Sequence, residues 1–175
     1  MKVRPLPRGF AWRALVRFNN IVYRSFEVLC AVATAVVVVA VIYQVISRYF
    51  GFQFRIVFGG APWSEEGAIF AFIWAVVLGN ALGVRDQSHL VADILPETLG
   101  PTGDRLIASL SYVADLILGV LFLVWGYAYA DQAWVRYSDV LGYPMFYMFV
   151  SLPLTAVGIL TFTVERAVLT WAPTK

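Results

Sequence analysis

The sequence predicts an all-α integral membrane protein: a four-transmembrane-helix bundle with an N-terminal amphipathic interfacial helix. Three observations predict it. Of 175 residues, 61% are hydrophobic and 14% charged, more apolar surface than a soluble fold of this size can hide. No charge occurs from Val28 to Ser47, and a helix needs roughly 20 such residues to cross the hydrocarbon. Three more apolar segments follow at short intervals, with no soluble domain, repeat or low-complexity tract between them.

The first element is a basic arm over residues 1–24, ahead of a membrane domain over 25–175. Arg13, Arg17, Asn20, Arg24 and Glu27 recur at spacings of four and three, which gathers them on one side of a helix among apolar and aromatic neighbours. Such a segment is expected to lie on the membrane surface, with Arg13, Arg17 and Arg24 near anionic lipid headgroups. The competing reading is a solvated extension of the first span. The apolar run that follows is too long for a secretory signal core and lacks a small-residue cleavage site, so it reads as a retained span.

Spans are expected at about 25–47, 64–84, 105–130 and 145–168, each a helix because backbone groups in lipid must be paired internally. Lys and Arg number ten over the arm, second loop and tail, against three over the first and third loops. By the positive-inside rule both termini are cytoplasmic. Aromatic residues around the first and third loops read as anchors at the opposite interface. Pro153 falls inside the fourth segment and is expected to kink it near Phe149.

Inventory removes several chemistries. His89 is the single histidine and Cys30 the single cysteine, so haem ligation by two histidines, a multi-His or multi-Cys metal site and an intrachain disulfide are excluded. No phosphate loop or metalloprotease signature is present. No cofactor, catalytic residue or nucleic-acid partner is expected. Deep polar groups are few: Asn80 late in the second span and Asp115 in the third. A carboxylate at mid-membrane costs about 2.5–3.5 kcal/mol. Asp115 is therefore expected to be hydrogen-bonded inside the bundle or to lie shallower than its segment suggests, in preference to serving as an ion site.

Two polar clusters remain, one at each end of the second span. Pro62-Trp63-Ser64-Glu65-Glu66 opens it. There Ser64 can cap, and the carboxylates sit at the positive end of the helix dipole. Adjacent carboxylates point in different directions, so one can serve the helix start while the other reaches a neighbouring chain. At the far end Arg85, His89 and Asp93 are spaced by four, on one face if the helix continues. A solvated turn explains that spacing equally well.

Trp63-Ser64-Glu65-Glu66 before the span, Gly79 within it and Arg85 with His89-Leu90-Val91-Ala92-Asp93 after it resemble one family. It is the small membrane (Q) subunit of tripartite ATP-independent periplasmic (TRAP) transporters. Length and the four-span layout agree. The chain departs from the family's habit at Ile69, where an arginine is common, at Val91, where a basic residue is common, and in a long first loop with Gly51, Gly59 and Gly60. The resemblance implies a non-catalytic subunit in the bacterial inner membrane. It would brace a large multi-span subunit that carries an organic acid and sodium, with substrate delivered by a periplasmic binding protein. Trp63, Glu65, Glu66, Arg85, His89 and Asp93 are the candidates for fold-critical or intersubunit contacts, and none is assigned to substrate. The rival reading is a self-sufficient homo-oligomeric transporter or channel using Asp115 and Asn80.

Overall fold

The computed structural model describes residues 10–50, 62–86 and 100–171. Five helices account for most of them: α1 (Phe10–Tyr49), α2 (Pro62–Asp86), α3 (Gly100–Gln132), the single-turn α4 (Phe146–Phe149) and α5 (Ser151–Trp171). A 3-10 turn, Ala133–Val135, follows α3. Among the described residues, four helices are long and apolar enough to cross a membrane, as the sequence predicts.

The arm and the first span form one element. No glycine or proline occurs between Phe10 and Tyr49, so nothing breaks the hydrogen-bond ladder, and 40 residues run as one helix of about 60 Å. The surface helix expected ahead of the span is therefore continuous with it from Phe10 onward. Its packed side repeats at four and three: Asn19, Tyr23, Phe26, Cys30, Ala33, Val37, Ala40, Gln44 and Ser47 are all buried or half-buried. On α2, Ser64, Ala68, Ala71, Ala75, Leu78 and Leu82 repeat in the same way. Helices α1 and α2 pack against each other, and two such stripes suit ridges-into-grooves packing.

Helix α2 packs on α1 and α5, and α5 packs on α3. The inner cluster lies between α1, α2 and α5 and contains Phe26, Leu78, Ala81, Val84, Ile159 and Phe162. Because the long helices alternate in direction, the start of α1, the end of α2, the start of α3 and the end of α5 share one end of the molecule, the amino end. The opposite end carries the loop over residues 136–145. Pro153 has the expected effect. The fourth segment divides into α4 and α5, with the break at Val150, after Phe149, whose carbonyl lies four residues before the proline nitrogen that lacks a proton.

Small residues set the helix separation at mid-membrane. On α3 the buried positions Tyr112, Gly119 and Gly126 fall at intervals of seven. A Cβ on Gly126 would lie 2.7 Å from Leu152 Cβ and 3.2 Å from the Pro153 nitrogen. A Cβ on Gly158 would meet the Phe26 ring at 2.6 Å. Lipid supplies no hydrophobic drive between helices, so this close approach carries much of the association. Gly126→Ala is expected to destabilise the chain by about 1–3 kcal/mol. Gly67→Ala, in open space within α2, should add about 0.5–1 kcal/mol. Thermal unfolding of the two variants in detergent checks the opposite signs.

Candidate functional site

Polar side chains concentrate at the two ends of the helix packing. At the amino end Asn19 is fully buried against α5. Its amide donates to Glu165 Oε2 at 2.7 Å and to the Thr161 carbonyl at 3.2 Å. From the last turn of α2, Arg85 donates to the Asn19 carbonyl at 3.0 Å and to Asn20 Oδ1, and reaches Glu165 Oε1 at 3.8 Å. Its guanidinium lies over the rings of Tyr23 and Phe162, 4.7 and 5.2 Å from their centroids. The planar, five-donor guanidinium is suited to holding carbonyl, amide and carboxylate while stacking on aromatic faces. Tyr23 in turn donates its hydroxyl to Asp86 at 3.0 Å.

Arg166, beside Glu165, extends the network to α3. It donates to the Val84 carbonyl, lies 3.4 Å from Asp115 Oδ2 and sits over the Tyr112 ring at 5.3 Å. The last carbonyls of a helix have no partner within it, so Arg166 satisfies an end group of α2 while bridging two other helices. All four long helices are thereby joined. Replacing a buried ion pair by apolar residues is often neutral, whereas stranding one partner costs about 3–5 kcal/mol. Such a network fixes which residues sit opposite each other more than it adds net stability.

The level of Asp115 follows from the same contacts. It shares Arg166 with Val84, two residues from the end of α2. Asp115 thus lies at the level of the last turn of α2, paired to an arginine. Asn80 is half-buried in α2, five residues before Arg85.

At the opposite end Glu66 closes a loop. Its carboxylate accepts from Ser138 Oγ and from the backbone N–H groups of Val140 and Leu141, each at 3.0 Å. The loop is also tied by Ser138 N–H to the Tyr143 carbonyl at 2.9 Å and Met145 N–H to the Arg136 carbonyl at 2.8 Å. Gly142 makes the turn at φ +65°, a backbone region that favours glycine. Burial, with the Glu66 charge adding to it, pushes the Tyr143 phenol above its ordinary pKa. The helix already begins at Pro62, the favoured first position for proline. Ser64 is therefore a fully buried residue of the first turn and does not occupy the capping position expected for it. Trp63 packs on Tyr43 with ring centroids 5.3 Å apart, and Trp74 donates its indole N–H to the Tyr147 carbonyl at 3.2 Å. Glu65 is exposed.

The structure therefore separates the two motifs of the second span by its full length and gives each a different set of partners. Trp63, Glu65 and Glu66 lie at the loop end, Arg85 at the amino end. His89 and Asp93 fall outside the described residues. Arg13, Arg17 and Arg24 are exposed on α1, with Arg24 paired to Glu27 at 2.8 Å. Sequence reasoning missed Asn19, Ser138 and Glu165, and counted Arg166 only as a tail charge. A signal existed for two of them: Glu165-Arg166 is a charged pair interrupting the end of an apolar span, costly there unless partnered.

A family model described as "Tripartite ATP-independent periplasmic transporters, DctQ component" matches residues 37–172. A relative in Haemophilus influenzae, described as a TRAP transporter small permease protein, is 26% identical over 126 residues, covering 72% of this chain and 68% of the relative. The "C4-dicarboxylate TRAP transporter small permease protein DctQ" of Vibrio cholerae is 28% identical over 83 residues, covering 45% of this chain and 36% of the relative.

Glu66→Ala is expected to release the loop while leaving the helices in place. Hydrogen exchange at the Val140 and Leu141 amides should then accelerate at least tenfold, since hydrogen bonds to a charged acceptor contribute about 1.5–3 kcal/mol. Glu65→Ala should leave those amides unchanged.

Proposed function

Because the chain belongs to the DctQ family of TRAP transporter components, we propose that it is the non-catalytic small membrane subunit of a sodium-driven importer of organic acids. In this role it braces the larger subunit that moves substrate. One observation carries the bracing role: the charged side chains buried among the long helices tie those helices to one another at the amino end. Arg85 engages Glu165, and Arg166 engages Asp115. The middle of the molecule is packed from small and apolar side chains such as Gly119, Gly126, Leu78 and Ile159. Asp115 is held by Arg166, which speaks against its serving as the ion site of a self-sufficient channel. "C4-dicarboxylate" in the name of the Vibrio relative supports a carboxylate as the cargo class.

In this reading the chain lies in the bacterial inner membrane, with both termini in the cytoplasm and the Glu66-held loop on the periplasmic side. Its partners are a large multi-span subunit and a periplasmic substrate-binding protein. The paired carboxylates have different tasks: Glu66 serves its own chain, while exposed Glu65, with half-exposed Trp63, is turned toward the large subunit. His89 and Asp93 are assigned to the cytoplasmic side of the same junction.

Reconstitution tests the proposal. The purified chain alone in liposomes should take up no organic acid, whereas the chain with its large subunit, binding protein and a sodium gradient should. Uptake by the small chain alone would contradict the bracing role. Glu65→Ala should weaken co-purification of the large subunit without lowering the melting temperature of the isolated chain.

A further inference from the structure

Near the loop end of α1, three polar side-chain atoms are buried with no hydrogen-bond partner among the described residues: Tyr43 Oη, Gln44 Nε2 and Ser47 Oγ. Gln44 and Ser47 belong to the packed stripe of the helix, and all three residues are half-buried. The ring of Tyr43 lies against Trp63, with centroids 5.3 Å apart, which sets the group at the level of the first turn of α2. Ser64 in that turn is fully buried. At its amino end α1 is tied to α5 and α2 through Asn19. Near its other end this group holds the unused hydrogen-bonding capacity of its packed side.

Helix geometry gathers the three. Ser47 follows Gln44 by three residues and Tyr43 by four, spacings that bring Cβ atoms to within about 5–6 Å. Their directions around the helix fall within about 100°. They are neighbours, yet none bonds to another. A buried polar group left unsatisfied carries its full desolvation cost, so three on one turn call for a fourth group that serves them together. None of the three atoms is open to the surface, so neither a lipid headgroup nor a side chain of another subunit reaches them. Water enclosed with them does. A buried water makes about three hydrogen bonds, and among the described residues no other single turn brings together three such atoms.

We propose that Tyr43, Gln44 and Ser47 hold an internal water molecule that joins α1, near its loop end, to the first turn of α2. The water accepts from Gln44 Nε2 and donates to the hydroxyl oxygens of Tyr43 and Ser47. Its second lone pair takes an N–H of the first turn of α2, where the leading amides have no acceptor within their own helix. Hydrogen bonds through water are nearly as favourable as direct ones. The bridge therefore gives α1 a polar tie at this end to match the one that Asn19 makes at the other.

The test uses the full chain alone, labelled with nitrogen-15, in phosphatidylcholine nanodiscs. Magnetisation transfer from water should appear at the Gln44 side-chain amide and should weaken in the double variant Tyr43→Phe, Ser47→Ala. Thermal unfolding gives a second readout through its sign. Each of the two single substitutions removes one bond of the held water and should lower the melting temperature by about 2–4 °C. The double variant should lose less than the sum, because both side chains serve the same water. Tyr49→Phe, at an exposed position of the same helix, should change neither readout. A dry site reverses the sign, since each substitution then deletes an unsatisfied group. No water signal at Gln44 in the unaltered chain, single variants that melt at the same or a higher temperature, or strictly additive losses would each overturn the proposal. None of these outcomes bears on whether the chain works beside a larger transport subunit, which liposome uptake decides separately.

Discussion

Glu165 and Arg166 are adjacent on α5, yet they serve different helices. Glu165 takes the Asn19 amide of α1 and the Arg85 guanidinium of α2. Arg166 takes the end of α2 and Asp115 of α3. A charge at this depth is tolerable only when partnered, so each of these residues dictates what must stand opposite it. Sliding α1 along α5 by one turn would take the Asn19 amide away from Glu165 and the Thr161 carbonyl and leave Glu165 with Arg85 alone. The alignment of all four long helices depends on this constraint, and the apolar packing above it follows once the ends are aligned.

Packing in the middle of the molecule is consistent with that dependence. Glycines at 119, 126 and 158 let neighbouring helices approach until a single added methyl would collide. Such a fit gives dispersion energy only at one alignment, and the amino-end network selects it. At the other end Glu66 holds the loop after α3 against the start of α2. A chain pinned at both ends and tightly packed between them is suited to transmitting force without changing shape, the property a brace requires.

Much of this architecture was legible from the residues. Charge-free runs marked the helices because lipid forbids unpaired backbone, and Pro153 marked the break at Val150 because it lacks a proton to donate. What escaped was pairing between distant residues. Asn19 went unremarked in the amphipathic arm, and only the fold brings it to Glu165, 146 positions away. Ser138 carries no signal by itself, since its role exists only because Glu66 meets it across 72 positions. The continuity of the arm with the first span was open to reading in the absence of glycine and proline from Phe10 to Tyr49. The basic amphipathic pattern drew attention to the surface and away from that absence. Periodicity reports which side of a helix is polar; it does not report what that side meets.

If the chain braces a larger transport subunit as proposed, its four spans move as one body during transport. Spin labels on the exposed positions Val36 of α1 and Val120 of α3 would report their separation by pulsed electron paramagnetic resonance in the reconstituted complex. A rigid brace gives the same narrow distance distribution with and without sodium and substrate. A shift or a second population on adding them would show the bundle taking part in the transport motion, and would rule out a rigid brace.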